Sequence, residues 1–375
     1  MNTKPTTVVH IITCLNMGGA ERSLVNLVSG MDPTRFTNII ISIRDLGYWG
    51  PILQQRGFTV VALNMHAKFG FTLGAYKLMR LLRKIKPDYV QGWMYHANVV
   101  ALLVGKLAGI KKIYWNIRCS IMDLSRYSLL SRLIFKLGAV LAKYPSGIIN
   151  NSIESIKQHT ECGYKNKNWI HIPNGFNTQH FIPSNEIYKQ FRIEQHLPGD
   201  AIVIGMVARF DPMKDHITFL KAAGILAKQQ RQVYFVCAGR DINSDNAALQ
   251  AVIRDAELQA RVILLEQVDN VHELYPALDF LTQTSIFGEG FPNVVAEAMS
   301  CGVPCFVTDV GDSLHVIGDT GYVIAKQHPQ ALAHCWQHAI TNKSEDVNAP
   351  RARITQEFSI ANTIAKYEIC YGYIG

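Results

Sequence analysis

Short apolar runs closed by glycine, asparagine or proline, each followed by apolar residues at helical spacing, recur along this chain of 375 residues. Val8 to Cys14 is the first such run; it ends at Asn16-Met17-Gly18-Gly19, and Leu24, Leu27 and Val28 follow at helical spacing. Phe36 to Ile43, Phe58 to Leu63, Tyr89 to Gly92, Lys112 to Ile117 and Gly147 to Asn150 read as further strands. Helices are expected over Gly74 to Lys86, Ala97 to Ala108 and Ser125 to Lys143. Uninterrupted apolar strands alternating with helices demand parallel sheets covered on both faces. The rhythm pauses over residues 173–200, which are rich in Pro and Gly apart from one short helical piece around Tyr188. It resumes with Ala201 to Ala208, Val233 to Gly239, Val262 to Leu265, Phe280 to Thr284 and Val303 to Val307, with helices over Ile217 to Lys228 and Pro292 to Ser300. Two doubly wound α/β domains follow, residues 1–180 and 181–355. A last segment, 356–375, carries a helix from Ile360 to Tyr371 expected to cross back onto the first domain. The length suits two domains of about 150–200 residues.

With 48% hydrophobic and 18% charged residues, the chain can fill two cores, which excludes disordered and fibrous classes. Its 8 cysteines include no CxxC pair, so they read as small core residues of a reducing compartment. The polar start, Met1 to Thr7, has no signal-peptide core, and the apolar stretch Leu129 to Ala142 is broken by Arg132 and Lys136. A cytoplasmic location without a membrane crossing is the expectation. Charge is divided unequally. Residues 1–185 hold 22 Lys and Arg against 7 Asp and Glu, a net +15, while the remainder carries −7. An anionic partner is therefore expected for the first half only. No aromatic-basic motif or recognition helix points to nucleic acid.

The densest chemical signal is Phe287-Gly-Glu289-Gly290-Phe291-Pro-Asn293-Val294-Val-Ala-Glu297. A strand ends near Ser285, a glycine-bracketed loop follows, and Pro292 stands where a first helical residue belongs. The free N–H groups between Gly290 and Val294, Pro292 having none, would then face a phosphate or diphosphate at a positive helix end. Glu289 and Glu297 suit hydroxyls of a sugar and a ribose beside such a site. As two solvated glutamates on a helix cap they would have no such role, but the flanking glycines, the proline and the turn Cys301-Gly-Val-Pro304 favour the functional reading. The second signal is Val207-Ala-Arg209-Phe-Asp-Pro-Met-Lys214. Arg209 leaves the carboxyl end of a strand, where open α/β sheets bind ligands, and Lys214 follows a turn and opens the next helix. Either cation alone reads as surface charge. Together with the downstream helix terminus they fit a nucleotide diphosphate.

Gly18-Gly19-Ala-Glu-Arg, Ile172-Pro-Asn-Gly175, Val207-Ala-Arg209 with Lys214, Cys237-Ala-Gly239-Arg and the Glu289/Glu297 pair together resemble the family 4 glycosyltransferases. The resemblance spans nearly the whole chain. It implies a GT-B fold, two Rossmann-like domains facing a cleft, and transfer of a sugar from a nucleotide donor with retention. It implies that Arg209 and Lys214 hold the donor diphosphate, Glu297 the ribose, and Glu289 with the amides of Gly290 and Phe291 the donor sugar. Gly239, Val268, Asn293 and Val294 complete the nucleotide-sugar site, with Gly18 and Gly19 close to the phosphates. Many members carry a histidine after the fifth N-terminal strand. This chain has Trp115-Asn116-Ile117-Arg118 there, so Arg118 or Asn116 would take that place, with His96, expected to end the fourth strand, a further candidate. Glu266 stands in the base-binding loop where a glycine is more usual, which leaves the base open.

No Asp-x-Asp occurs and none of the 13 histidines has metal-ligand spacing, so no cofactor and no divalent metal are implied. Arg209, Lys214 and a helix terminus can offset the leaving-group charge instead. Two N-terminal helices are basic and amphipathic. In Lys77 to Lys86 the apolar face is expected to pack on the sheet. In Ser125 to Lys143, Arg132, Lys136 and Lys143 share one side, Leu130, Ile134, Leu137 and Leu141 lie opposite, and Tyr127, Leu129 and Leu133 widen the apolar surface. Contact with an anionic membrane is expected for the second helix. The expected protein is a retaining, metal-independent glycosyltransferase at the cytoplasmic face of the inner membrane. It would move a sugar from a UDP-sugar to a lipid-linked saccharide in capsule or lipopolysaccharide synthesis. The alternatives are a nucleotide-sugar 2-epimerase, for which the seven N-terminal carboxylates show no pair, and a non-catalytic nucleotide-sugar-binding protein.

Overall fold

The computed structural model describes residues 4–65, 70–120, 128–268, 270–342 and 348–372. The chain divides into two units, Met1–Gly175 with Ile360–Gly375, and Phe176–Ser359. The breaks fall after Gly175 and before Ile360, a few residues from the expected 180/181 and 355/356. Gly175 is required at this passage because a Cβ there would lie 2.5 Å from Thr363 Oγ1.

The first unit is built on seven parallel strands: β1 (Thr6–Ile12), β2 (Phe36–Ser42), β3 (Thr59–Ala62), β4 (Tyr89–Trp93), β5 (Ile113–Ile117), β6 (Gly147–Asn150) and β7 (Trp169–His171). Their order is β3-β2-β1-β4-β5-β6-β7, with Ile12 opposite both Ser42 and Trp93. Val8, Val9, Ile11 and Ile12 of β1 are all buried, as expected of a strand covered on both faces. The second unit repeats the plan with β8 (Ile202–Val207), β9 (Val233–Ala238), β10 (Val262–Leu265), β11 (Phe280–Gln283), β12 (Cys305–Thr308) and β13 (Tyr322–Ile324). Its order is β10-β9-β8-β11-β12-β13, again all parallel. Each sheet reverses its winding between its first and fourth strands, β1/β4 and β8/β11, and such switch points open a crevice at the strands' carboxyl ends.

The edge strands β7 and β13, three residues each, are too short to leave a periodic signal in the sequence. The helix Ile360–Cys370 belongs to the first unit, where Ile364, Tyr367 and Tyr371 fill the core around Leu24, Val28, Tyr89 and Trp93. The Tyr367 ring stacks on Trp93 at 6.4 Å, and a Cβ on Gly30 would meet Ile364 Cδ1 at 2.2 Å. In the second unit Trp336 is fully buried against Phe219 and Phe235, and its indole N–H donates to Thr282 Oγ1 at 3.0 Å.

Candidate functional site

In the second unit, the β8/β11 switch point draws together the two motifs. After β8 the chain makes a short 3₁₀ turn, Pro212–Lys214, and Asp215 then caps the helix His216–Gln229 from the left-handed region (φ +54°). Asp211 Oδ1 accepts from the Met213 amide at 2.9 Å, and Asp211 Oδ2 accepts from Arg209 Nε at 3.2 Å. Thr284, beyond β11, places its hydroxyl between the carbonyls of Lys214 (2.8 Å) and Asp215 (3.0 Å), which pins this turn to the neighbouring strand. Lys214 therefore lies just before the helix that the sequence expectation had it open. Its ammonium donates to Glu289 Oε1, and Ser285 Oγ donates to the same oxygen. Both members of the ion pair are largely buried. A buried carboxylate of this kind is tolerated because two donors meet it.

The loop before the helix Asn293–Ser300 is braced from behind. The Asp312 amide donates to the Gly290 carbonyl at 2.9 Å. Gly311, at φ +62°, approaches so closely that a Cβ would sit 2.5 Å from that same oxygen. Pro292 is the N-cap rather than the first helical residue expected from sequence, and its carbonyl accepts from the Ala296 amide at 3.3 Å. Phe291 contributes only backbone to the site. Its ring is buried between Phe176, stacked at 5.8 Å, and Phe358, edge-on at 5.5 Å. Asn293 is exposed, whereas Val268 and Val294 pack on the apolar core behind the loop. Tyr275 donates its phenol to Glu297 Oε2 at 2.9 Å, and burial pushes that phenol well above its ordinary range. Gly239, at φ +142°, packs against the Ala208 carbonyl, 2.3 Å from where a Cβ would stand. Glu266 accepts from Asn243 Nδ2 at 2.7 Å. Thr284, Ser285, Tyr275 and Asp312 escaped the sequence reading, since each is an ordinary residue until the fold brings it to the motif.

In the first unit, Gly18 caps the helix Gly19–Gly30 in extended conformation, and a Cβ there would clash with Glu21 Oε2 at 2.3 Å. Gly19 is exposed. His96 does not end β4: the strand closes at Trp93, Met94 turns through φ +66°, and His96 is the third residue of the helix Met94–Leu107. Burial, with Arg44 nearby, holds its imidazole below the ordinary range. Asn116 and Arg118 leave β5 as an ordered pair. Asn116 Nδ2 donates to Tyr367 Oη at 2.7 Å and Arg118 Nη1 to the same oxygen at 3.0 Å. Arg118 Nη2 donates to Asn174 Oδ1, which also accepts from Asn151 Nδ2 at 3.0 Å.

The two basic helices differ. In Gly70–Ile85, Leu78 and Leu82 are buried and Leu81 and Ile85 pack on the core, leaving Lys77, Arg80 and Lys84 outside. In Leu129–Leu141 the inward face is Phe135 and Gly138. Leu130 and Leu137, expected on the face opposite the cations, point outward with Leu129, Leu133 and Val140 at 41–76% exposure. Lys136 and Lys143 flank this apolar arc and are exposed, while Arg132 is half-buried. Tyr127 lies outside the described residues. No described helix is long and apolar enough to cross a membrane. Among the described residues no three His, Cys, Asp or Glu side chains group as a metal ion would need.

Two doubly wound parallel sheets, with paired cations and a braced helix terminus at one switch point, define a protein of GT-B architecture. Residues 188–356 match the family described as glycosyl transferases group 1. The "Putative glycosyltransferase EpsF" of Bacillus subtilis is 23% identical over 325 residues, covering 82% of this chain and 80% of the relative. The UDP-Gal:alpha-D-GlcNAc-diphosphoundecaprenol alpha-1,3-galactosyltransferase of Escherichia coli is 22% identical over 305 residues, 78% of this chain and 77% of the relative. The crystal structure of Anabaena Alr3699/HepE in complex with UDP superposes with a TM-score of 0.85 at 20% identity, covering 98% of this chain and 100% of that one. Together these likenesses support a GT-B glycosyltransferase similar to family 4, with the family match itself lying in residues 188–356.

Proposed function

We propose that this glycosyltransferase transfers a hexose from a UDP-sugar to a lipid-linked saccharide, with retention and without a divalent metal, in the synthesis of a surface polysaccharide. The observation that carries the reading is the contact of Lys214 with Glu289, with Arg209 leaving the adjacent strand β8. When the bond between the sugar's anomeric carbon and the diphosphate breaks, negative charge develops on the departing oxygen. Two cations can meet it, Arg209 and Lys214, and fixed charges of this kind can take the role a metal would otherwise fill. Glu289, once Lys214 turns to the phosphates, is a carboxylate acceptor for donor-sugar hydroxyls. Glu297, oriented by Tyr275, suits a ribose. Arg118, Asn116 and His96 are the candidates for the acceptor side of the reacting carbon; Gly18 and Gly19 are assigned a place close to the phosphates, with open space beside Gly19 at the terminus of its helix.

The donor class is supported by the UDP bound in the Anabaena structure, and the lipid-linked acceptor by the diphosphoundecaprenol in the name of the Escherichia coli relative. The outward leucines of Leu129–Leu141 and their flanking lysines suit a helix lying in an anionic surface, which would keep such an acceptor within reach at the cytoplasmic face. The test incubates the protein with a panel of nucleotide sugars and a short lipid-diphosphate saccharide, with and without EDTA. UDP-sugar turnover that survives EDTA is the expected result. Activity abolished by chelation and restored by magnesium or manganese would overturn metal independence, and turnover confined to other nucleotides would overturn the donor assignment.

A further inference from the structure

At the C-terminal end of the helix Leu129–Leu141 lies a cavity of about 540 Å³, walled by Lys143, Tyr164, Lys165, Lys167 and Trp169. It opens beside the amino ends of β6 and β7, away from the strand ends that carry the motifs. Its basic rim is held in place. Asn166, between two of the lysines, donates to the Pro145 carbonyl at 3.2 Å and to the Ala142 carbonyl at 2.6 Å, so the lysine-bearing loop is tied to the helix's last turn. Asn168 donates to the Ser146 carbonyl at 3.0 Å, and its own amide donates back to Asn166 Oδ1 at 2.7 Å. Beneath them the Tyr164 phenol donates to the Phe135 carbonyl at 3.0 Å. Three lysines thus line the cavity together with the rings of Tyr164 and Trp169, and no carboxylate is among its lining residues.

Lys143 belongs to two surfaces at once. It lines the cavity, and it flanks the outward arc of Leu133, Leu137, Val140 and Tyr144, its ammonium lying 5.1 Å from the Tyr144 ring centre. A helix seated in a bilayer interface by that arc would hold the cavity at the depth of the lipid phosphates. We infer that the Lys143–Lys165–Lys167 cavity is a binding site for the phosphate headgroup of an anionic phospholipid. The inference rests on the membrane reading of the preceding section and adds a specific headgroup site to it. The cavity is large enough to admit a glycerophosphate group, and a basic pocket bordering an apolar arc recognises one molecule with both features.

The experiment compares wild type, K165Q/K167Q and L133Q/L137Q/V140Q by co-sedimentation with phosphatidylcholine vesicles and with equimolar phosphatidylcholine and phosphatidylglycerol. Lys165 and Lys167 lie outside the helix, so K165Q/K167Q leaves the apolar arc and the donor site intact, and an unchanged thermal melt verifies its fold. Its partitioning onto phosphatidylglycerol vesicles should fall at least about tenfold, with UDP-sugar turnover in solution unchanged. Acylation of Lys165 and Lys167 should be blocked by the anionic vesicles and unaffected by inorganic phosphate at equal ionic strength, which separates a lipid headgroup from a free anion. Wild-type partitioning by K165Q/K167Q, or protection by inorganic phosphate alone, would overturn the headgroup site. If wild type ignores both vesicles the membrane reading itself falls. If it binds both equally, that reading stands and the headgroup site falls.

Discussion

Arg118 Nη1 donates to the Tyr367 phenol at 3.0 Å, joining the end of β5 to a helix that the chain reaches 249 residues later. The same oxygen accepts from Asn116 Nδ2, so one phenol orients both residues that stand where many relatives carry a histidine. Tyr367→Phe removes that acceptor and leaves two donors unsatisfied in a buried setting. A loss of about 1–3 kcal/mol in stability is expected. Turnover should also fall while UDP affinity stays, because the residues proposed to bind the donor belong to the other unit. Calorimetric melting and UDP titration check the two parts, and unaltered turnover would detach Arg118 from the reaction.

Lys214 and Glu289 are 75 residues apart in sequence and share one hydrogen bond. Lys214→Ala and Arg209→Ala should each lower turnover at least about tenfold, since each removes a charge proposed to face the leaving group. Lys214→Ala also takes the cation from a largely buried carboxylate, so it should destabilise the second unit, and Glu289→Gln in the same chain should restore part of that stability. Steady-state rates and melts of the two singles and the double check this. Wild-type turnover in either single variant would reject the assignment.

Glu297 presents its carboxylate from the helix Asn293–Ser300, steadied by Tyr275 at 2.9 Å. Glu297→Ala should weaken UDP binding by about 1.5–3 kcal/mol, the range for a hydrogen bond to a charged group. Isothermal calorimetry reads it directly. Equal affinity would remove Glu297 from the nucleotide site.

Much of this arrangement was legible in the sequence. Gly147–Asn150 and Val262–Leu265 emerge with the expected bounds because unbroken apolar runs closed by turn formers have no other stable use. Arg209, Lys214 and Glu289 were legible as candidates because each lies in the stretch after a strand of an α/β chain, and Glu297 because it lies on the helix that such a stretch leads into. Their partners were not, because the Lys214–Glu289 contact depends on β8 lying beside β11, and no local pattern records sheet order. The helix Leu129–Leu141 shows the same limit. Periodicity finds its apolar arc, but not that Phe135 and Gly138 are the residues it buries. Which part of a wide apolar arc turns inward is decided by the shape of the neighbouring core, here Tyr95 and Tyr164 against Phe135.

His10 sits in β1 with Nε2 3.0 Å from Asn38 Oδ1 and Nδ1 accepting from Trp93 Nε1 at 3.3 Å. Nε2 therefore carries the proton and the ring is neutral. Burial pushes its pKa down to about 4. The unfolded chain takes up a proton near pH 6.5 and the folded chain does not until about pH 4. Stability contributed by the neutral ring is thus present above pH 6.5 and is lost as pH falls toward 4, by about 1.4 kcal/mol per pH unit. His10→Gln should flatten that part of the stability profile. Urea unfolding at steps of pH checks the slope, and an unchanged slope would show that other groups govern it.

The helix Leu129–Leu141 separates packing from surface function. Phe135 is buried against Tyr95 and Tyr164, so Phe135→Ala opens a cavity in the first unit's core and should cost about 3–5 kcal/mol. Leu133, Leu137 and Val140 are exposed, and replacing all three with Gln removes apolar area from water instead of from the core. That triple variant should melt with the wild type or slightly above it, because exposed leucines contribute little to folding. Its affinity for vesicles should drop sharply, since each buried methylene is worth about 0.8 kcal/mol on transfer to lipid. Charge reversal at Arg132, Lys136 and Lys143 should act differently. It should weaken binding to anionic vesicles only, and high salt should mimic it as the Debye length shrinks from about 10 Å at 0.1 M to about 3 Å at 1 M. Melting curves and vesicle flotation of the three variants separate these effects. A glutamine triple that floats like wild type would return the outward leucines to the role of ordinary exposed side chains.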